Sequence, residues 1–200
     1  MAYFEYQSKK VFYQEIGSGK PLIFLHGNTA SSRMFTEVSL IGSSGGALAA
    51  INVALEKPEW IDQVIADSFE GEESRAELTT HIVQDRAASK QIPGAVMFYQ
   101  AMLGEDWEVV VDQDTEAIDK HARTIGKFFH KPLEDFKPDI LMIGSKEDEF
   151  MMSPGFYSHI YEEMIRKIGH GRYYVFEHGG HPAMLSNAEA FIQLSLEFLK

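Results

Sequence analysis

Ser39-Leu40-Ile41-Gly42-Ser43-Ser44-Gly45-Gly46-Ala47 decides how this chain of 200 residues folds. An apolar run ends in G-x-S-x-G, and Ala47 to Leu55 follows, apolar nearly all round as a buried helix is. The pattern puts a serine on a sharp strand-to-helix turn, a nucleophile elbow. The turn is tight, and Gly42 and Gly46 remove Cβ atoms that would clash. The serine then sits where a helix N-terminus points its free N–H groups, which suits a developing oxyanion. A glycine-rich turn that only packs has the same five-residue pattern, so the surrounding chain must decide.

Upstream, Leu22-Ile23-Phe24-Leu25 is a short continuous apolar run, the mark of a strand buried on both faces. His26-Gly27-Asn28 follows directly, and Ser31 or Ser32 could cap a helix running to Phe35. Further back, residues 3–7 and 11–16 are rich in Tyr, Phe, Val and Ile and predict a β-hairpin. Gly17-Ser18-Gly19-Lys20-Pro21 mimics a phosphate loop. Gln14 stands where its first glycine belongs and Pro21 replaces the Ser/Thr, so that reading is rejected.

Downstream, Val64-Ile65-Ala66 is another buried strand, with Asp67-Ser68 at its C-terminal end, where α/β sheets keep their sites. From Glu70 to about His130 the pattern turns helical. Leu78 and Ile82 form one stripe. Ala95, Phe98, Tyr99 and Met102 form a second, and Ile118, Ala122, Ile125 and Phe129 a third. Met97, Phe98, Tyr99, Met102 and Trp107 are expected in the core of this insertion. Ile140-Leu141-Met142-Ile143 is the next strand, followed by Gly144-Ser145-Lys146-Glu147-Asp148-Glu149-Phe150. Residues 156–168 are helical, and Arg172 to Phe176 is the last strand. Glu177-His178-Gly179-Gly180-His181-Pro182 then leads to a C-terminal helix, for which Ser186-Asn187-Ala188-Glu189 reads as a capping box.

Composition narrows the function. The chain carries 30 acidic and 18 basic side chains, a formal net charge of −12. No basic run stands out, which argues against nucleic acid and anionic membrane surfaces as partners. There is no cysteine, so disulfides and thiolate chemistry are excluded. No apolar run reaches a membrane span. Met1-Ala2-Tyr3-Phe4-Glu5 has neither a basic flank nor an apolar signal core. The expectation is a soluble cytoplasmic protein. The histidines show no H-x-x-x-H spacing, and neither a metal nor a cofactor is expected.

The order strand–HGN, G-x-S-x-G, helical insertion, strand–acid, strand–HGGHP resembles the α/β-hydrolase family over nearly the whole chain. Elbow, then acid, then histidine, each after an apolar strand, is its specific feature. The resemblance implies a mostly parallel sheet flanked by helices, with one antiparallel strand near its start. It implies a core of residues 1–69 and 131–200, with residues 70–130 as an inserted helical cap over the elbow. It also implies a triad of Ser44 as nucleophile, Asp148 as acid and His181 as base. The oxyanion donors would be the backbone N–H groups of Gly45 and Asn28. Ser43 precedes the nucleophile position and should point elsewhere. Glu147 also fits the acid's place, Asp67 fits it one strand earlier, and His178 is the alternative base. Glu147 and Glu149 otherwise read as a solvated charge run.

In the family, a helix, a strand and another helix separate the HGN loop from the elbow strand. Here only Thr36-Glu37-Val38 joins Phe35 to that strand. Loss of the intervening strand would leave an edge in mid-sheet. The expectation is therefore that strand 11–16 pairs directly and antiparallel with strand 22–25, giving about seven strands, with 22–25 also beside the elbow strand. Two functions follow. One is a serine hydrolase cleaving a small ester, thioester or amide through an acyl-enzyme. The other is a catalytically weak or inactive hydrolase-like binding module. Self-association is left open.

Overall fold

The computed structural model describes residues 2–6, 9–13, 22–25, 38–151 and 153–200. Strands β1 (Ala2–Tyr6) and β2 (Lys9–Tyr13) form an antiparallel hairpin with Ala2 opposite Tyr13. A second sheet holds β3 (Leu22–Leu25), β4 (Val38–Ser43), β5 (Ile61–Asp67), β6 (Asp139–Ser145) and β7 (Arg172–Phe176), in that order. Every neighbouring pair in it is parallel. The C-terminal ends of β4 to β7 therefore lie side by side along one edge of the sheet.

Both faces of the sheet are covered, because successive residues of a strand point to opposite sides. Leu40, Val64, Ala66, Ile140 and Met142 pack with α1 (Gly45–Glu56) and α6 (Phe156–Ile168). Ile41, Ile65, Leu141 and Ile143 face Ala183 of α7 (Ala183–Ser186) and Phe191 and Phe198 of α8 (Ala188–Phe198). Ile65, Ile140 and Ile143 have no exposed surface. Continuous apolar runs in β4, β5 and β6 are what a two-sided core demands.

Between β5 and β6 the chain forms α2 (Ala76–Thr79), α3 (Ile82–Ser89), α4 (Pro93–Leu103) and α5 (Trp107–Thr124). This stretch is tied back to α1, where Asn52 Nδ2 donates to the Phe128 carbonyl (2.7 Å) and Asn52 Oδ1 accepts from His130 N–H (3.0 Å). A salt bridge of 2.5 Å joins Glu72 to Lys167 of α6.

Several expectations are corrected. Strand β2 pairs with β1 over its whole length, and β3 pairs with β4; no pairing joins β2 to β3 among the described residues. Only two residues separate β1 from β2 in the sequence, so their pairing costs little loop entropy; the described residues of β2 are Lys9–Tyr13, and residues 14–16 lie outside them. The five-stranded sheet accordingly has no antiparallel strand, and β3 does lie beside the elbow strand. The capping box does not form. The N-cap of α8 is Asn187, without a side-chain cap bond, and Ser186 Oγ donates instead to the carbonyl of Gly180 (2.7 Å). The third helical stripe breaks because α5 stops at Thr124, which leaves Ile125 exposed; α5 buries Trp107, Val111 and Thr115. Met97, Phe98 and Met102 are also exposed, while Tyr99 stacks on buried Trp107 at 5.8 Å. The HGN loop with Asn28, the helix expected near Ser31, and the Phe35–Thr36 junction lie outside the described residues.

Candidate active site

The elbow forms where the glycine pattern puts it. Ser44 joins β4 to α1 with φ 53° and ψ −124°, a backbone conformation that non-glycine residues rarely adopt. Gly42 explains how the turn closes: a Cβ there would lie 2.2 Å from the Gly46 carbonyl oxygen and 2.7 Å from Ala47 N. The turn is held from the next strand, since Ser44 N–H donates to the Asp67 carbonyl at 2.7 Å. Ser44 is half-buried, and its hydroxyl does not cap α1. Gly45 is the first helical residue, so its N–H has no partner within the helix. Ser43 points elsewhere, its Oγ donating to Asp67 Oδ2 at 2.9 Å.

Two strands away, Asp148 and His181 meet. His181 Nδ1 donates to Asp148 Oδ2 at 2.8 Å. The carboxylate is fully buried and the imidazole partly so, with 15% of its side chain exposed. Asp148 Oδ1 accepts from Phe150 N–H (2.9 Å), and Oδ2 also accepts from Tyr157 O–H (2.5 Å). Burial alone would raise the Asp148 carboxyl. The hydrogen bonds from His181 and Tyr157 outweigh it and hold the group below its ordinary value. With Nδ1 occupied, Nε2 is the nitrogen of His181 left without a hydrogen bond among the described residues. Among the described residues no hydrogen bond joins Ser44 Oγ to His181.

The alternative residues form a separate, outer set. His178 Nδ1 donates to Glu147 Oε1 at 3.0 Å on the exposed rim. That bond raises the imidazole and lowers the carboxyl, each favouring the other's charged form. Glu147 and Glu149 are more than a solvated charge run. Glu147 Oε2 accepts from Gly179 N–H (3.1 Å) and Glu149 Oε2 from His181 N–H (2.9 Å). The acid loop thus staples the backbone of the histidine loop. Asn187 Nδ2 adds a bond to the His178 carbonyl at 3.0 Å.

Asp67 stands apart from the imidazole but ties the two halves of the site together. It receives Ser43 Oγ–H and Met184 N–H (3.2 Å) on Oδ2, and Ser68 Oγ–H (3.1 Å) on Oδ1. Ser68 Oγ in turn accepts from Ala183 N–H at 2.9 Å. The start of α7, two residues past His181, is therefore anchored beneath the elbow. Burial pushes the Asp67 carboxyl up to about 6, against the opposing pull of Ser43, Met184 and Ser68. No spacing rule in the sequence pointed to Tyr157 or to this anchor. Among the described residues no group of three or more histidine or acidic side chains could hold a metal ion, and no helix is long and apolar enough to cross a membrane.

Five parallel strands with helices on both faces, a strained serine between the second strand and its helix, and an acid–histidine pair beyond the last two strands define an α/β-hydrolase fold. Solved structures carry the same likeness. MGS-M2, an α/β hydrolase enzyme from a Medee basin deep-sea metagenome library, matches with a TM-score of 0.69 at 16% identity, over 99% of this chain and 97% of that one. Est816, described as an N-acyl homoserine lactone degrading enzyme, matches with a TM-score of 0.61 at 15% identity, over 98% and 100%. The meta-cleavage product hydrolase CumD of Pseudomonas fluorescens IP01 matches with a TM-score of 0.57 at 16% identity, over 82% of this chain. The chain spans 65% of the CumD chain, less than two thirds of its length. No protein-family model matches the chain, and no curated protein matches it.

Proposed function

We propose that this chain is a serine hydrolase that cleaves a small ester, thioester or amide through an acyl-enzyme. The observation that carries the reading is the His181–Asp148 hydrogen bond of 2.8 Å, at the sheet edge where Ser44 occupies its strained turn. A serine hydroxyl is a poor nucleophile until a base takes its proton. Nε2 of His181 takes the proton of Ser44, and Asp148 stabilises the imidazolium that forms. The acyl oxygen, negative in the tetrahedral intermediate, is met by Gly45 N–H, with Asn28 N–H as the second donor. His181 then protonates the leaving group, and water repeats the sequence on the acyl-enzyme. Residues 70–130 act as the cap over this site. The solved structures of similar fold that are described as esterases or lactone-degrading enzymes support acyl transfer to water as the reaction class.

A fluorophosphonate probe tests this directly. The wild-type chain should be labelled at Ser44, and Ser44→Ala should abolish the label while hydrolysis of p-nitrophenyl acetate falls to background. Failure of the wild type to label, or label that survives Ser44→Ala, overturns the assignment. The first of these outcomes favours the hydrolase-like binding module.

A further inference from the structure

Besides His181 and the Phe150 N–H, Asp148 carries one side-chain partner that a serine triad does not require. Tyr157, in the first turn of α6, donates its hydroxyl to Oδ2, the same oxygen that receives His181 Nδ1. The phenol is locked in place. Its ring lies against Gly144, where even a Cβ would come within 2.5 Å of the ring atoms, and Tyr161 packs on it at 5.2 Å. Only 2% of Tyr157 is exposed. Burial, then Tyr161 and Asp148, push its ionisation far above the ordinary tyrosine range, so it is a donor at any working pH. A carboxylate oxygen with two donors shares its negative charge between them, and each donor weakens the oxygen's hold on the other.

We propose that Tyr157 is a positioning residue for the acid: it fixes the carboxylate so that Oδ2 faces His181, and it sets how strongly Asp148 draws on the imidazole proton. This rests on the triad reading above. The absence of a side chain at Gly144 has a matching role, since it makes the room that brings the phenol to the acid. The other titratable groups packed around the trio are Asp67 on β5, Tyr161 on α6 and Glu149 in the acid loop. None is altered in the variants below.

The test uses two changes that act in opposite directions. Tyr157→Phe keeps the ring on Gly144 and removes the donor, so Asp148 holds the His181 imidazolium more tightly. Replacing Tyr157 by 3-fluorotyrosine supplies a more acidic, stronger donor. The readouts are the pH dependence of fluorophosphonate labelling and the titration of His181 followed by NMR. In Tyr157→Phe the acid limb and the imidazole midpoint should move up by about half a pH unit, and labelling near neutral pH should fall about two- to threefold. In the fluorotyrosine protein both should move down. Midpoints that stay put in both proteins, or a rate loss without a midpoint change, overturn the proposal. If the wild type is not labelled at all, the triad reading fails by itself. The NMR titration still reports whether Tyr157 acts on His181 through Asp148.

Discussion

Asp67→Asn probes the buried anchor under the elbow. Asp67 is completely buried, and three donors converge on it without a cation in contact. Burial raises its carboxyl from 3.8 to about 6. A raised acid binds its proton more tightly in the folded chain than in the unfolded one, so ionisation works against the fold. Below 3.8 both states are protonated and there is no penalty. The penalty grows as pH climbs to about 6 and is constant beyond, where it amounts to about 3 kcal/mol. Asparagine cannot ionise and removes this dependence. Its amide also turns a donor toward another donor, which costs a pH-independent amount. The informative quantity is therefore the stability of Asp67→Asn minus that of the wild type, followed with pH. Urea unfolding monitored by fluorescence of Trp60 and Trp107 supplies it. The difference should rise in favour of the variant by about 2.5 kcal/mol between about pH 4 and about pH 8, nearly all of it below about pH 6.5. Glu70, whose carboxyl is raised by burial to about 7, contributes equally to both proteins and cancels. A difference that stays flat across that range would refute the burial argument.

Two further outcomes follow from the same contacts. Gly42→Ala places a methyl group 2.2 Å from the Gly46 carbonyl oxygen, which is backbone and cannot yield. We expect a loss of about 3 kcal/mol or more in thermal unfolding, or no soluble protein, while Gly45→Ala, with nothing within 4 Å of its Cβ, stays within about 0.5 kcal/mol of wild type. Glu149→Ala removes the acceptor for His181 N–H and should slow probe labelling severalfold. Glu149→Gln keeps an acceptor oxygen and should restore most of the rate; equal rates in the two variants would show that the staple does not position His181.

The sheet was legible because strands buried on both faces have no alternation to hide in. Leu22–Leu25, Val64–Ala66 and Ile140–Ile143 read as unbroken apolar runs, and each is a strand. The elbow was legible because a tight turn needs glycine where Gly42 stands. The meeting of Asp148 and His181 was legible from their chain order, the acid after the unbroken apolar run of β6 and the histidine after β7, whose residues alternate between exposed and half-buried before Phe176. What stayed hidden has a physical reason in each case. Tyr157 lies nine residues past the acid, on a helix, and reads as one more apolar position. Glu147 and Glu149 look like solvent-facing charges, because side-chain spacing says nothing about backbone amides arriving from another loop. The exposed Met97 and Phe98 show that helical periodicity defines an apolar face without saying what covers it. The expected pairing of β2 with β3 was within reach of the chain, but reach does not decide between competing partners.

An all-parallel sheet also sets the order in which this molecule can come together. No two neighbours among β3 to β7 are joined by a hairpin, so each contact closes a long loop, and such topologies fold slowly. Ser44 meets Asp67 once β4 lies on β5, and Asp148 meets His181 once β7 lies on β6. Each of these contacts is a half-site. The β5–β6 seam, whose strands are separated in sequence by α2 to α5, brings them together, and the bonds from Ala183 and Met184 to Ser68 and Asp67 then tie them. Loop-closure entropy rises by only about 0.6 kcal/mol for each doubling of loop length. The helical insertion can therefore lengthen or shorten with little effect on that seam. Residues 70–130 are thus the part of the chain most free to vary in size while the two half-sites still meet.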